Sequence, residues 1–244
     1  MIPVVEIFGP TIQGEGPHVG MKTLFVRVAG CDFKCEWCDS KFAWEFNNAT
    51  KYEPEELAET LIYECLVTNT SNVVLTGGNP CLYDFEEVIS KLHDRDITVD
   101  VETQGSLFPA WVSQVDLLVI SPKAPSSKQP DVASKVSEYL RTLYTREENR
   151  NQQIAIKIPV FDDADFEFAK RYYDMLKGFR MGHWFNVNLY LSVGNTDTIE
   201  LGSIALRVLN DYEKLIDKVA KSDMKRVFIL PQVHTLVWGN RQGV

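Results

Sequence analysis

Three thiols stand within eight residues, in the run Gly30-Cys31-Asp32-Phe33-Lys34-Cys35-Glu36-Trp37-Cys38-Asp39-Ser40. The spacing C-x3-C-x2-C is too tight for an ordinary disulfide framework, and the odd count leaves one thiol over. A loop this short wraps three thiolates around one inorganic centre. Zinc usually takes four ligands, and iron–sulfur clusters are normally held by four Cys. No second C-x2-C and no C-x2-H follows. Three ligands on a four-iron cube leave one iron open to an exogenous chelator. A zinc knuckle and three incidental core thiols are the competing readings.

The other stretches fit for chemistry are Gly-containing or polar ends of apolar runs. Phe8-Gly9-Pro10-Thr11-Ile12-Gln13-Gly14-Glu15-Gly16-Pro17 holds three Gly and two Pro from Gly9 on, and reads as a tightly turned loop whose backbone a ligand can approach. Arg27 lies near the end of a strand running into the Cys loop, as a surface charge or as a fork for a carboxylate. Thr76-Gly77-Gly78-Asn79-Pro80 follows a short buried strand, where paired Gly open the strand's C-terminal end to a ligand or simply make a turn. Glu102-Thr103-Gln104-Gly105 and Ser121-Pro122-Lys123 close two further strands. His234 can hydrogen-bond a substrate, though a lone His near a strand end is more often structural.

The elements that position these groups follow from apolar periodicity. Short strands are expected at 23–29, 72–75, 97–101, 115–120, 154–158, 185–193 and 227–230, the first after a short opening strand. Helices alternate with them. One starts at Pro54 with Leu57, Leu61, Ile62, Cys65 and Leu66 as its apolar stripe, which makes Cys65 a core thiol. The next has an Asp84–Glu87 capping box and buries Phe85, Val88, Ile89 and Leu92. Others are expected at 131–144, at 163–177 with Phe166, Ala169, Tyr173 and Leu176 inward, and at 203–221 with Leu206, Leu209, Tyr212, Ile216 and Val219 on one face. Residues 42–52 and 145–152 read as loops. Right-handed βα crossovers bring the strand ends to one mouth of a parallel sheet. About six such units predict an α/β fold with an open, partial β/α barrel, in one domain covering 1–244.

With 45% hydrophobic and 24% charged residues over 244 positions, the chain supports one sizeable core. A net charge of −9 argues against a broad nucleic-acid footprint. No stretch is apolar and long enough to span a bilayer, and no signal segment is apparent. Clustered unpaired thiols then point to a reducing cytoplasm.

The Cys spacing, with an aromatic at Trp37, resembles the radical S-adenosylmethionine (SAM) superfamily. The further motifs occur in order: the opening Phe8–Gly16 run, Thr76–Pro80, Glu102–Gly105, Ser121–Lys123 and the closing Leu230-Pro231-Gln232-Val233-His234. Together they resemble the 7-carboxy-7-deazaguanine synthase family over nearly the whole chain. The pairing of Gln13-Gly14-Glu15-Gly16 with Ser121-Pro122-Lys123 is what points to this family.

The resemblance implies a [4Fe–4S] cluster on Cys31, Cys35 and Cys38, in a loop spanning 30–40. It implies SAM contacts from Gly78, Glu102, Ser121, Pro122 and Lys123, and from Ser192, Val193, Gly194 and Asn195. Ile12, Gln13 and Gly14 hold the pterin edge, Arg27 pairs with the substrate carboxylate, and Thr76 and Val244 also touch substrate. Ser40, often Thr in the family, ligates Mg2+. Asn79 stands where many radical SAM proteins have Glu, and still offers an amide oxygen to SAM's ammonium. The tail 231–244 closes the substrate site. The implied reaction converts 6-carboxy-5,6,7,8-tetrahydropterin to 7-carboxy-7-deazaguanine by radical ring contraction with loss of ammonia, in queuosine biosynthesis. The implied partners are a flavodoxin- or ferredoxin-like one-electron reductase and a second copy, as a homodimer. The rival functions are an activase making a glycyl radical on a partner protein, and a zinc- or cluster-binding interaction module.

Overall fold

The computed structural model describes residues 1–144, 152–179, 187–195 and 204–243. Among them, nine strands form one sheet: β1 (Ile2–Ile12), β2 (Lys22–Val28), β3 (Thr50–Tyr52), β4 (Asn72–Gly77), β5 (Thr98–Thr103), β6 (Leu117–Ile120), β7 (Gln153–Val160), β8 (Val187–Val193) and β9 (Val227–Leu230). Their order is β3-β1-β2-β4-β5-β6-β7-β8-β9, and the sheet does not close. From β2 to β9 every pairing is parallel. β1 and β3 add an antiparallel edge. Parallel neighbours need crossovers, and six connect these strands. Five carry helices: α1 (Pro54–Thr68), α2 (Glu86–His93), α3 (Ala133–Tyr144), α4 (Asp163–Lys177) and α5 (Ile204–Ala220). The β5–β6 link has only a short 3-10 helix, Ala110–Gln114. This is the open, partial barrel of about six units that the alternating pattern predicts.

The sheet divides its residues by parity, because successive strand side chains face opposite ways. Leu24, Val26, Val28, Val73, Leu75, Val99, Val101, Ile154, Ile156 and Ile158 join the large core under the helices. Leu117, Val119, Ala155 and Tyr190 pack in a smaller cluster of their own on the concave side. Arg27, Thr76, Glu102 and Lys157 share the parity of that concave side and sit toward the C-terminal ends of their strands. Four polar or charged groups thus converge on one mouth.

Several expected elements differ. β1 runs on to Ile12, through the Gly9-Pro10 stretch expected to be loop, because a register shift between Phe8 and Thr11 absorbs it. The run expected as loop at 42–52 holds a 3-10 helix (Lys41–Trp44) and β3. Asp84 does not form a capping box: its Oδ1 accepts from Glu86 N at 3.0 Å, and Phe85 occupies the cap position with its ring in the core. On α5 the inward residues are Ile204, Val208, Leu215 and Val219. Leu206, Leu209 and Ile216 of the expected face are exposed. Two apolar stripes run along this helix, and periodicity alone selects the wrong one. On α1 Leu66 also faces out, while Cys65 is buried as expected. Residues 233–238, expected as tail, form α6 (Val233–Trp238). The expected turn at 145–152 lies almost wholly outside the described residues. No helix among the described residues is long and apolar enough to cross a membrane.

Phe85 is fully buried and meets Trp111 edge-on at 5.5 Å between ring centroids, and Trp111 Nε1 donates to Tyr83 O at 2.9 Å. Phe85→Ala is expected to cost about 3–5 kcal/mol through the cavity it leaves. Urea denaturation checks this: the midpoint should fall while the slope is kept.

Candidate active site

The start of the Cys loop is fixed by backbone contacts. β2 and β4 are parallel neighbours, with Arg27 opposite Thr76 and Val28 opposite Gly77. Past the strands, Gly78 N donates to Val28 O at 3.0 Å and Asn79 N donates to Gly30 O at 2.9 Å. A Cβ on Gly78 would lie 1.8 Å from the Gly30 carbonyl oxygen. Gly77 has φ +116°, where side chains are strained, and its Cβ would meet Val28 N at 2.5 Å. The paired Gly therefore admit the Cys loop's own backbone. The outer side of the loop is held by the segment after β6: Glu36 N donates to Ser127 O at 3.1 Å, and Trp37 Nε1 donates to Ser126 Oγ at 2.9 Å.

Cys31, Cys35 and Cys38 line one cavity at the sheet's mouth. Of the residues singled out in the sequence, Ile12, Gln13, Gly14, Arg27, Ser40, Thr76, Gly78, Glu102, Ser121 and Lys123 line the same cavity. Burial pushes all three thiols up, Cys35 to about 11, while the Lys123 ammonium opposes the rise. Backbone N–H of Phe33 donates to Cys31 Sγ at 3.4 Å. Among the described residues no three Cys, His, Asp or Glu side chains converge tightly enough for one metal ion. Three thiols lining one cavity that also carries a cation and polar groups suit an iron–sulfur centre with a chelating ligand beside it. Cys65 and Cys81 are buried elsewhere and contribute no ligand.

An ionic seam crosses the cavity floor. Lys157 Nζ lies 2.8 Å from Glu15 Oε2 and 3.6 Å from Glu102 Oε1. Glu102 also accepts from Gln13 Nε2 at 3.2 Å and from Thr76 Oγ1 at 3.0 Å. Burial alone would raise Glu15, but the Lys157 ammonium and His234 outweigh it and hold the carboxyl down at about 2. Burial would lower Lys157, and Glu102 and Glu15 together drive it up instead. His234 reaches the floor because Val233 N donates to Gly14 O at 3.0 Å. A Cβ on Gly14 would lie 2.0 Å from His234 Nδ1, so only Gly fits between them.

A second polar group stands at the rim. Arg27 Nε donates to Glu6 Oε1 at 2.7 Å and its Nη1 donates to Ser40 Oγ at 3.0 Å. Its guanidinium lies over Phe8 and Phe42, at 5.4 and 5.6 Å from the ring centroids. Ser40 Oγ in turn donates to Asp39 Oδ1 at 2.8 Å. A hydroxyl and a carboxylate are hard oxygen donors, and Mg2+ takes few protein ligands and keeps its waters. The donor set at the rim therefore suits that ion.

Other sequence expectations fall outside this cavity. Pro122 does not line it. Ser192 is buried on the concave side, and the Val193 side chain packs in the helix-side core. Gly194 and Asn195 line an adjoining cavity with Arg27, Ser40 and the segment Gly239–Gly243. Asn195 is engaged there with Asn240 and Arg207, at 2.7 and 2.6 Å. Val244 lies outside the described residues. Asn79, read as an acceptor for SAM's ammonium, is fully buried and turned inward. Its Oδ1 accepts from Thr103 Oγ1 at 3.0 Å and from Cys81 N at 3.2 Å. Sequence reasoning assigned no role to Glu15, Gln104 or Lys157, and weighed His234 as a substrate contact or, more readily, as structural. Lys157 carried a signal, as a lone charge within an otherwise apolar strand.

Lys157→Met leaves two carboxylates facing each other on a buried floor, and is expected to cost about 3–5 kcal/mol. Adding Glu15→Gln should recover part of that loss. The pH dependence has a definite sign. Glu15 is lowered from 4.5 to about 2, so its stabilisation holds above 4.5 and drains away toward 2. Lys157 is raised, so its share persists at neutral pH and is lost only as the pH climbs through its folded value. Denaturation curves of Glu15→Gln and wild type should therefore converge on the acid side, and a constant gap would contradict the pairing.

Comparison with known proteins agrees with this geometry. Residues 12–106 match the family model described as a 4Fe-4S single cluster domain. The 7-carboxy-7-deazaguanine synthase of Bacillus subtilis is 41% identical over 100% of this chain and 98% of its own. That of Bacillus cereus is 39% identical over 100% of this chain and 99% of its own. The crystal structure of QueE from Escherichia coli superposes with a TM-score of 0.61 at 21% identity, covering 96% of this chain and 94% of that one, and so shares the fold. The full-length identity to the Bacillus enzymes settles the assignment: the chain belongs to the 7-carboxy-7-deazaguanine synthase family.

Proposed function

We propose that the cavity holds a [4Fe–4S] cluster on Cys31, Cys35 and Cys38 with SAM beside it, and converts 6-carboxy-5,6,7,8-tetrahydropterin to 7-carboxy-7-deazaguanine with release of ammonia. Family membership makes the chain a radical SAM enzyme of queuosine biosynthesis. When bound and reduced by one electron, the cluster and SAM supply hydrogen-atom abstraction. The protein's own part is positioning and charge.

The thiols, Arg27 and the Gln13–Gly14 turn opening onto one cavity is the observation that carries this reading. Gly78 and the Ser121-Pro122-Lys123 segment flank the side nearest the thiols and hold SAM. Glu102 sits between the two ligands and takes a ribose hydroxyl. The Ser192–Asn195 stretch contributes from the adjoining cavity, through Gly194 and Asn195. Ile12, Gln13 and Gly14 hold the pterin edge, with Thr76 beside them. Gln232 adds a buried Oε1 that accepts no hydrogen bond, a match for a pterin N–H. Arg27 keeps N–H groups to fork onto the substrate carboxylate, with its guanidinium set over Phe8 and Phe42. Ser40 and Asp39 are the residues that would hold Mg2+, which would neutralise charge on the substrate carboxylate. The residues act as one domain, 1–244, with 231–244 including Val244 closing over the substrate. A flavodoxin- or ferredoxin-like reductase supplies the electron, and the enzyme works as a cytoplasmic homodimer.

Anaerobic reconstitution followed by SAM, dithionite and the carboxy-tetrahydropterin tests this. A deazaguanine chromophore is the expected result, and 5′-deoxyadenosine formed without pterin turnover would sink the substrate assignment. Cys35→Ala should abolish both products. Ser40→Ala should weaken magnesium dependence with iron content unchanged. Arg27→Met removes hydrogen bonds between charged groups worth about 1.5–3 kcal/mol, so kcat/KM should fall roughly 10- to 100-fold.

A further inference from the structure

Gln104 follows β5 directly and is buried at the cavity wall. Its Nε2 lies 3.8 Å from Cys31 Sγ and 3.2 Å from Ser106 Oγ, and it also donates to Asp32 Oδ1; of its two N–H groups one goes to Asp32 and the other is divided between Cys31 Sγ and Ser106 Oγ. Which end of the amide faces this way is fixed by chemistry. The Asp32 carboxylate only accepts, so the NH2 end must face it.

Asp32 is itself held from the other side. Asn79 Nδ2 donates to the same Oδ1 at 2.9 Å and to Ser106 Oγ at 3.2 Å. Asn79 cannot shift, since its own Oδ1 takes the Thr103 hydroxyl and the Cys81 N–H. The Gln104 amide is therefore pinned beside one particular thiol. The other donor to Cys31 is the backbone N–H of Phe33, which survives any side-chain change. Gln104 is the removable one.

We propose that Gln104 donates a hydrogen bond to the Cys31 thiolate and thereby raises the reduction potential of the cluster bound there, with Asp32, Asn79 and Ser106 as positioning residues. This rests on the cluster reading above. On reduction the cluster takes one electron from an external donor and nothing leaves. The cluster with its three thiolates becomes one charge more negative. An N–H aimed at a thiolate stabilises that reduced form more than the oxidised one, so the potential rises. Asn79, in the position that often carries Glu, thus serves the cluster through Asp32 and Gln104.

Gln104→Met keeps length and removes both N–H groups. The test is an EPR-monitored redox titration of reconstituted wild type and variant, without SAM. Iron and sulfide content should match. The midpoint of the variant should move to more negative potential, with up to a roughly tenfold lower reduced-to-oxidised ratio at a fixed potential, about 59 mV for one electron. An unchanged midpoint in a fully loaded variant overturns the proposal while leaving the cluster reading intact. Wild type that takes up no iron overturns both. Pulsed EPR on reduced wild type carrying side-chain 15N-glutamine needs no variant. A weak 15N coupling is expected, and its absence overturns the proposal.

Discussion

A carbonyl oxygen pressed against a bare Cα holds this site together. Gly30 O sits where a side chain on Gly78 would have to be, and the same oxygen accepts from Asn79 N. The contact joins the exit of β2 to the exit of β4, and the Cys loop begins one residue later. Any Cβ at Gly78 would push that loop off the sheet and carry the thiols with it. The start of the thiol loop is thus tied to the β2–β4 pairing.

The second organising fact is parity. On each central strand the odd and even positions serve different ends. One set, of Val, Ile and Leu, goes to the core beneath the helices. The other set turns inward and includes the polar and charged groups Arg27, Thr76, Glu102 and Lys157 near the strand ends. This is why a chain with a net charge of −9 can place Lys157, Lys123 and Arg27 around one cavity. The charges are arranged in the interior, with Lys157 answered by Glu15 and Glu102, and Arg27 by Glu6. Buried charges of this kind are tolerable only when paired and hydrogen-bonded.

Much of this was legible in the residues themselves. Alternating apolar runs and Gly-marked strand ends were enough for the open parallel sheet, and the Cys spacing for the centre it serves. What escaped was information carried by pairing across the fold. Lys157 meets Glu15 from 142 residues away, and no local pattern records that. Asn79 looked like a ligand contact because it follows the Gly-Gly turn, yet its amide is used up within the protein. α5 carried two apolar stripes, and only the position of β8 and β9 decides which is inside. The later part of β1 passed for a loop because its bulge needs the partner strand to be seen.

The seam between Glu15 and Lys157 bears on the order in which the polypeptide is made. The thiol loop and the first carboxylate leave the ribosome early, and the ammonium that neutralises the floor follows much later, with His234 later still. Chains fold from the N-terminal side during synthesis, so the growing molecule passes through a stage in which β2 and β4 can pair while the floor is open and unbalanced. Because the closing contacts are so distant in the chain, their formation is slow and late. A chain released before Lys157 would carry the thiol loop and both carboxylates of the floor with no ammonium between them.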